Sequence, residues 1–209
     1  MSKVLFIKAN PKQEKDSFSL WAGEEFIKLY KMKNPQDKVI EIDVYNTNIP
    51  LIDADVLNGW AKLQSGTPFE NLNDAEREKI STINKLTDEF VAADKYVFVT
   101  PLWNFTIPPM MKAYIDTVCI AGKTFKYTEN GPIGLLKNKK ALHIQASGGI
   151  YSEGPFKEME LGNRYIKTIL SFIGVTELET IFVEGTAIMP AEEIKNNTLN
   201  KIKEVANKF

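Results

Sequence analysis

Three short stretches hold side chains of the kinds that position a small ligand. Thr100-Pro101-Leu102-Trp103-Asn104-Phe105-Thr106-Ile107-Pro108-Pro109 sets an indole, an amide and a phenyl ring among three prolines, directly after the apolar run Tyr96 to Val99. Proline fixes φ and lacks an N–H donor, so the segment can be neither a helix interior nor a central strand and is predicted to be a rigid loop at a strand end. A flat, partly polar molecule suits such a wall, because the rings offer stacking area and the amide a hydrogen-bonding group. The competing reading makes Trp103 and Phe105 core residues that close the strand. The second stretch, Ala9 to Ser19, brings the hydroxyls of Ser17 and Ser19 to the expected start of a helix. Free N–H groups and the helix dipole favour a phosphate there, although Ser17 also suits a plain N-cap. In the third, Gln145-Ala146-Ser147-Gly148-Gly149-Ile150-Tyr151, paired glycines permit close backbone approach and unusual dihedrals, so that N–H groups can face the edge of a heterocycle. A plain turn is the alternative.

Other chemistries are disfavoured. No G-x-G-x-x-G occurs, and no Walker motif follows a strand. Gly122-Lys123-Thr124 would need its first glycine at Thr117, within a segment that reads as helix, whereas a phosphate cradle needs strand, loop, then helix. Tyr127 reads as an exposed hairpin residue. A single cysteine, Cys119, excludes an internal disulfide, and a single histidine, His143, leaves no Cys/His cluster for zinc. His143 falls mid-strand as a packed or hydrogen-bonded residue, Cys119 falls on an apolar helix face, and Lys137, Lys139 and Lys140 read as a solvated turn. With 25% charged residues and a net charge of -1, the chain offers no electrostatic case for nucleic acid. No apolar run approaches the length of a membrane span, and the N-terminal one is too short for a signal peptide, so a cytoplasmic location is expected.

The elements that must position these loops follow from hydrophobic patterning. Five nearly continuous apolar runs, at 4–7, 39–42, 96–99, 141–144 and 179–183, have the length and character of strands buried on both faces. Helical periodicity separates them, at 18–31, 74–93, 108–119 and 158–173, and a last helix is expected at 190–207 with Pro190 in its first turn. Strand and helix alternate, which predicts an α/β fold with a doubly wound parallel sheet. At 209 residues the chain fits one domain, 1–209. Two segments break the rhythm. Ile49 to Asn73, with a possible short helix at 55–63, is long enough to cover a site or a partner surface, and Gly122 to Pro132 reads as a small hairpin.

Taken together, "KANPKQEKDSFS", "TPLWNFTIPPMMKAYID" and "ASGGIYS" resemble the FMN-dependent NADH-azoreductases, also called FMN-dependent NADH:quinone oxidoreductases, of the flavodoxin-like fold. The resemblance spans essentially the whole chain, and the P-L/M-W/Y-N-F-x-I-P loop is specific to this group. It implies a flavodoxin-like five-stranded sheet with helices on both faces and one non-covalent FMN per subunit. The FMN phosphate would be held by Asn10 and the Ser17-Phe18-Ser19 turn; Asn10 stands where many relatives have serine. The isoalloxazine would lie against Pro101, Leu102, Trp103, Asn104 and Phe105, with Ala146, Ser147, Gly148 and Gly149 along its other edge. NADH is the implied donor, quinones and aromatic azo compounds the implied acceptors, and a homodimer the implied assembly. No side chain is expected to serve as a covalent nucleophile, because the flavin carries the redox chemistry. Donor and acceptor would share one flavin face, which predicts ping-pong turnover. The rival reading is a flavodoxin-type electron carrier, for which a strongly acidic face is expected and the near-neutral charge gives none.

Overall fold

A computed structural model describes residues 1–209. In chain order it runs β1 (Lys3–Lys8), α1 (Phe18–Lys33), β2 (Lys38–Asp43), α2 (Ala54–Gln64), α3 (Asp74–Val91) and β3 (Lys95–Pro101). It continues with α4 (Pro109–Val118), β4 (Phe125–Thr128), β5 (Gly131–Gly134), β6 (Lys140–Ala146), α5 (Gly162–Ile173), β7 (Glu177–Val183) and α6 (Ala191–Lys208). The five expected strands form one parallel sheet in the order β2-β1-β3-β6-β7, while β4 and β5 pair separately as an antiparallel hairpin. The chain leaves β1 in one direction, to β2, and then crosses back over it to β3. That reversal opens a crevice at the carboxyl ends of β1 and β3, where ligands of such sheets bind.

The continuous apolar character of the strands has its cause in two covered faces. Val4, Phe6, Val97, Val99, Leu142 and Ile144 point to one side and meet Leu20, Phe26 and Ile27 of α1 and Ile194, Ile202 and Val205 of α6. Their alternates Leu5, Ile7, Tyr96, Phe98 and Ala141 meet Leu86 and Phe90 of α3, Met111 and Tyr114 of α4, and Ile166 and Leu170 of α5. Period-two alternation thus sends each strand's apolar residues into two separate cores.

The helices begin where local chemistry starts them. Ser17 accepts from the Leu20 amide at 3.3 Å, Asn73 and Glu76 form a reciprocal capping box on α3, and Pro109 occupies the first position of α4. Several placements differ from the sequence reading. Pro190 lies just outside α6, as its N-cap. The helix expected from residue 158 starts only at Gly162, because the Glu160 carboxylate accepts the amides of Asn163 (2.7 Å) and Arg164 (3.3 Å) and so closes its N-terminus. Lys139 is not a solvated turn residue: its ammonium donates to the carbonyls of Val91 (2.9 Å) and Ala93 at the end of α3, and burial pushes its pKa down. Lys140 is the first residue of β6. Cys119 is the C-cap of α4 rather than part of its face.

The excursion after β2 is partly anchored to its own chain. Its helix α2 lies so close to α3 that a Cβ at Gly59 would come within 2.5 Å of Ile80 Cδ1. Lys62 pairs with Glu76 at 2.6 Å, and Lys79 with Asp53 at 2.6 Å and Asp55 at 2.5 Å. The hairpin is clasped to α5 in the same manner: a Cβ at Gly134 would stand 2.2 Å from the Gly174 amide nitrogen, and Gly174, at φ +103°, ends that helix.

His143, on β6, is wholly buried. Its Nδ1 lies 2.9 Å from Asn163 Oδ1, which can only accept, so Nδ1 carries the proton; Nε2, 2.9 Å from Thr100 Oγ1, then accepts from the hydroxyl. Burial pulls its pKa down to about 4 from the usual 6.5. The native state therefore binds fewer protons than the unfolded chain between those values, and stability is lost as pH falls from 6.5 toward 4. We expect wild type to lose on the order of 2 kcal/mol more than His143→Gln between pH 7.5 and pH 5 in urea unfolding. Equal losses in the two proteins would show that His143 is not the titrating group.

Candidate flavin site

The loops after β1, β3 and β6 leave the sheet side by side because these strands are neighbours and parallel. Lys8 is in register with Val99 and Pro101 with Ala146. Two backbone bonds extend the pairing past the strands, from the Ala9 amide to Val99 O (2.9 Å) and from the Leu102 amide to Ala146 O (2.7 Å).

In the first loop Asn10, Ser17 and Ser19 are buried and bonded to one another. Asn10 Nδ2 donates to Ser17 Oγ at 2.8 Å and lies 3.4 Å from Ser19 Oγ; its Oδ1 accepts from the Lys12 amide at 3.0 Å, and the two hydroxyls are 3.0 Å apart. The N-cap reading of Ser17 is met. It caps α1 through the Leu20 amide, and this leaves the amides of Phe18 and Ser19 without an acceptor anywhere in the chain. A cleft of about 640 Å³ opens beside the turn, between Gln13 to Phe18 and the start of α6 at Ala191. Unpartnered amides at the start of a 16-residue helix suit an anion.

In the second loop Trp103 and Phe105 are not core residues; they are 37% and 38% exposed. The prolines bracket this wall rather than form it: Pro101 ends β3, and Pro108 and Pro109 start α4. Between them Trp103 and Thr106 exchange backbone hydrogen bonds of 2.9 and 3.1 Å around a two-residue turn. Asn104 and Phe105 sit there at φ +48° and +68°, the positive pair that a type I′ turn requires. Such a conformation costs on the order of 1–2 kcal/mol at a residue like Phe105. It is held by the Leu161 amide donating to Phe105 O at 2.9 Å, by the Tyr151 ring edge-on to Phe105 at 6.0 Å, and by the Tyr45 ring edge-on to Trp103 at 6.4 Å. The Asn104 side chain and the amides of Asn104 and Phe105 have no partner in the chain.

In the third loop the expectation of unusual dihedrals at Gly148 and Gly149 is not met, since neither has positive φ. At Gly149 the reason for glycine is steric, since a Cβ there would lie 3.1 Å from the Tyr151 ring, whereas one at Gly148 would make an ordinary contact of 3.4 Å with Ala187 Cβ. The carbonyls of Ser147, Gly148 and Gly149 all point to the loop after β7, accepting from the amides of Thr186 (3.1 Å), Ala187 (3.1 Å) and Gly185 (3.2 Å). In a planar trans peptide the following N–H is antiparallel to its carbonyl. The amides of Gly148, Gly149 and Ile150 must therefore point away from β7, toward the β3 side where Trp103 stands, and none of them has an acceptor in the chain. Ala146 ends β6, and Ser147 Oγ donates to Gly149 O at 2.9 Å.

These observations fit FMN. An uncharged cluster with two open amides suits a phosphate, an exposed pair of aromatic rings suits a flat ring system, and a row of open amides suits a polar edge. Sequence reading missed the residues that hold the parts in place. Glu184 accepts from the Tyr151 amide (2.6 Å), the Ser152 amide (2.7 Å) and Ser152 Oγ (2.5 Å). Gln145, whose Oε1 is buried without a partner, donates to Glu160 at 2.9 Å, and a Cβ at Gly162 would collide with that oxygen at 2.3 Å. The available signals were faint: an acidic residue just before the α5 glycine, and Glu184-Gly185 directly after β7.

Comparison with known proteins agrees with this geometry. The flavodoxin-like fold family matches residues 2–206. The FMN-dependent NADH:quinone oxidoreductase of Bacillus velezensis is 56% identical over 211 residues, and FMN-dependent NADH:quinone oxidoreductase 2 of Bacillus subtilis is 55% identical, each match covering 100% of both chains. Among solved structures, an azoreductase from Bacillus anthracis superposes with a TM-score of 0.92 at 41% identity, covering 100% of both chains. An FMN-dependent NADH-azoreductase of the same species, in complex with FMN, gives a TM-score of 0.94 at 34% identity, covering 100% of this chain and 99% of that one. The chain accordingly belongs to the flavodoxin-like fold family and, within it, to the FMN-dependent NADH:quinone oxidoreductases and azoreductases.

Proposed function

We propose that the protein is an FMN-dependent NADH:quinone oxidoreductase that also reduces azo compounds, with one flavin in the single domain 1–209. The observation that carries this reading is the convergence of open backbone amides from three neighbouring loops beside the Trp103 and Phe105 rings. Bound FMN supplies two-electron transfer between NADH and a quinone or azo acceptor. The chain's own residues bind and orient. The amides of Phe18 and Ser19 hold the phosphate, with Asn10, Ser17 and Ser19 fixing the turn. Pro101, Leu102, Trp103, Asn104 and Phe105 give the ring its support and exclude water from one face. Ala146, Ser147, Gly148 and Gly149 line its polar edge, where the free amides of Gly148, Gly149 and Ile150 stabilise negative charge.

We further propose a homodimer, on the strength of apolar residues that the excursion leaves uncovered. Leu51 and Leu57 are 62% and 55% exposed, and Ile52 and Trp60 line a cleft of about 690 Å³ against Ile120 and Phe125. No helix is long and apolar enough to cross a membrane, and the cytoplasm, where NADH is formed, is the proposed location.

Three tests follow. FMN-loaded protein should oxidise NADH with a quinone present, and the double-reciprocal lines at several fixed quinone concentrations should be parallel, because donor and acceptor enter by the same open side. Converging lines would show that both bind together; no NADH oxidation would remove the enzymatic reading and leave the electron carrier. Asn104→Gly should weaken FMN binding about tenfold while leaving urea stability within about 1 kcal/mol of wild type, since glycine tolerates the positive φ and only the side-chain hydrogen bond is lost. Asn104→Ala is the weaker probe, as it adds backbone strain. Unchanged affinity in Asn104→Gly would free this amide of any role in binding. Finally, light scattering should give a dimer for wild type and a monomer for the double variant Leu51→Glu, Leu57→Glu. A wild-type monomer rejects the assembly.

A further inference from the structure

The amide row of Gly148, Gly149 and Ile150 exists only while the loop after β6 keeps its curvature, and two devices hold that curvature. One is the ladder of backbone bonds to Gly185, Thr186 and Ala187. The other is Glu184, half-buried, whose Oε1 takes the consecutive amides of Tyr151 and Ser152 and whose Oε2 takes the Ser152 hydroxyl. The carboxylate thus grips the loop immediately after the last open amide. Consecutive N–H groups directed at one carboxylate fix the backbone between them, and charge-assisted bonds of this kind are short and strong. The grip also seats the Tyr151 ring, which lies against Gly149 on one side and edge-on to Phe105 on the other. The loops after β6 and β3 are therefore braced against each other through a residue that Glu184 holds.

We propose that Glu184 is a positioning residue that sets the preference of this site for reduced over oxidised flavin, an inference that rests on the FMN reading given above. It does so by aiming the amides of Gly148, Gly149 and Ile150, without touching the flavin. Reduction adds negative charge to the ring system, and donors already in place favour the more negative form. A loosened loop loses more of the reduced than of the oxidised complex. A through-space effect of the carboxylate has the opposite sign, because removing a negative charge would ease reduction.

The experiment measures FMN affinity and midpoint potential in wild type, Glu184→Ala, Glu184→Gln and Ser152→Ala, using apoprotein titrated with FMN and reductive titration of the loaded protein. In Glu184→Ala, reduced FMN should bind about tenfold more weakly relative to oxidised FMN than in wild type, a midpoint lower by about 30 mV for the two-electron couple. Glu184→Gln keeps one acceptor oxygen and should fall between; it also serves if Glu184→Ala does not fold. Ser152→Ala keeps both amides held and should match wild type. A midpoint that is unchanged or raised in both Glu184 variants, or an equal loss of affinity for the two redox forms, overturns the proposal. Wild-type apoprotein that fails to take up FMN overturns the functional reading as well. Uptake by wild type with Glu184 variants indistinguishable from it overturns this inference alone.

Discussion

The candidate site depends on one pairing, the parallel register of β3 against β1 on one side and β6 on the other. Because Val99 stands opposite Lys8 and Pro101 opposite Ala146, β3 and β6 end at one level, β1 ends two residues short of it, and the three loops leave the same edge side by side. The bonds from Ala9 to Val99 and from Leu102 to Ala146 carry that pairing one residue beyond the strands. A slip of one residue would turn the apolar set of each strand to the opposite face. Packing of Val97 and Val99 against α1, and of Tyr96 and Phe98 against α3 and α4, therefore protects the level at which the loops leave.

Around that edge, the chain gives its carbonyls to itself and keeps amides free. This is visible at the start of α1, where Ser17 satisfies the Leu20 amide but not those of Phe18 and Ser19. It recurs after β6, where three consecutive carbonyls are taken by the loop after β7. Charged side chains border the first of these places, where Glu14, Lys15, Asp16 and Lys195 line the cleft beside the turn. The oriented peptides add a fixed positive potential of their own.

Much of this could be read from the sequence, and the physical reason is locality. Apolar runs and helical periodicity located every strand and helix of the sheet layer, since each is a property of neighbouring residues. The three loops of the candidate site stand out by their composition at strand ends. Sequence reading failed where the determinant lies far along the chain. Nothing local marks Glu184 as the acceptor for Tyr151 and Ser152, Lys139 as the cap of α3, or Phe105 as the partner of Leu161. The left-handed pair at Asn104 and Phe105 was also hidden. A turn that needs two positive φ values normally advertises itself by glycine; here the glycines next door, Gly148 and Gly149, have ordinary dihedrals, and the strained residues carry side chains.

The clasp between Gly134 and Gly174 gives α5 a mechanical role. At its amino end the helix is tied to the site, through the Leu161 amide on Phe105 and through Glu160 on Gln145. At its carboxyl end it meets the hairpin backbone to backbone at Gly134 and Gly174, beside the rings of Phe125 and Phe172, whose centroids are 4.7 Å apart. Twelve residues of helix make a strut roughly 18 Å long. The hairpin, whose Tyr127 faces outward, and the turn that carries Phe105 are thereby tied to the two ends of one helix.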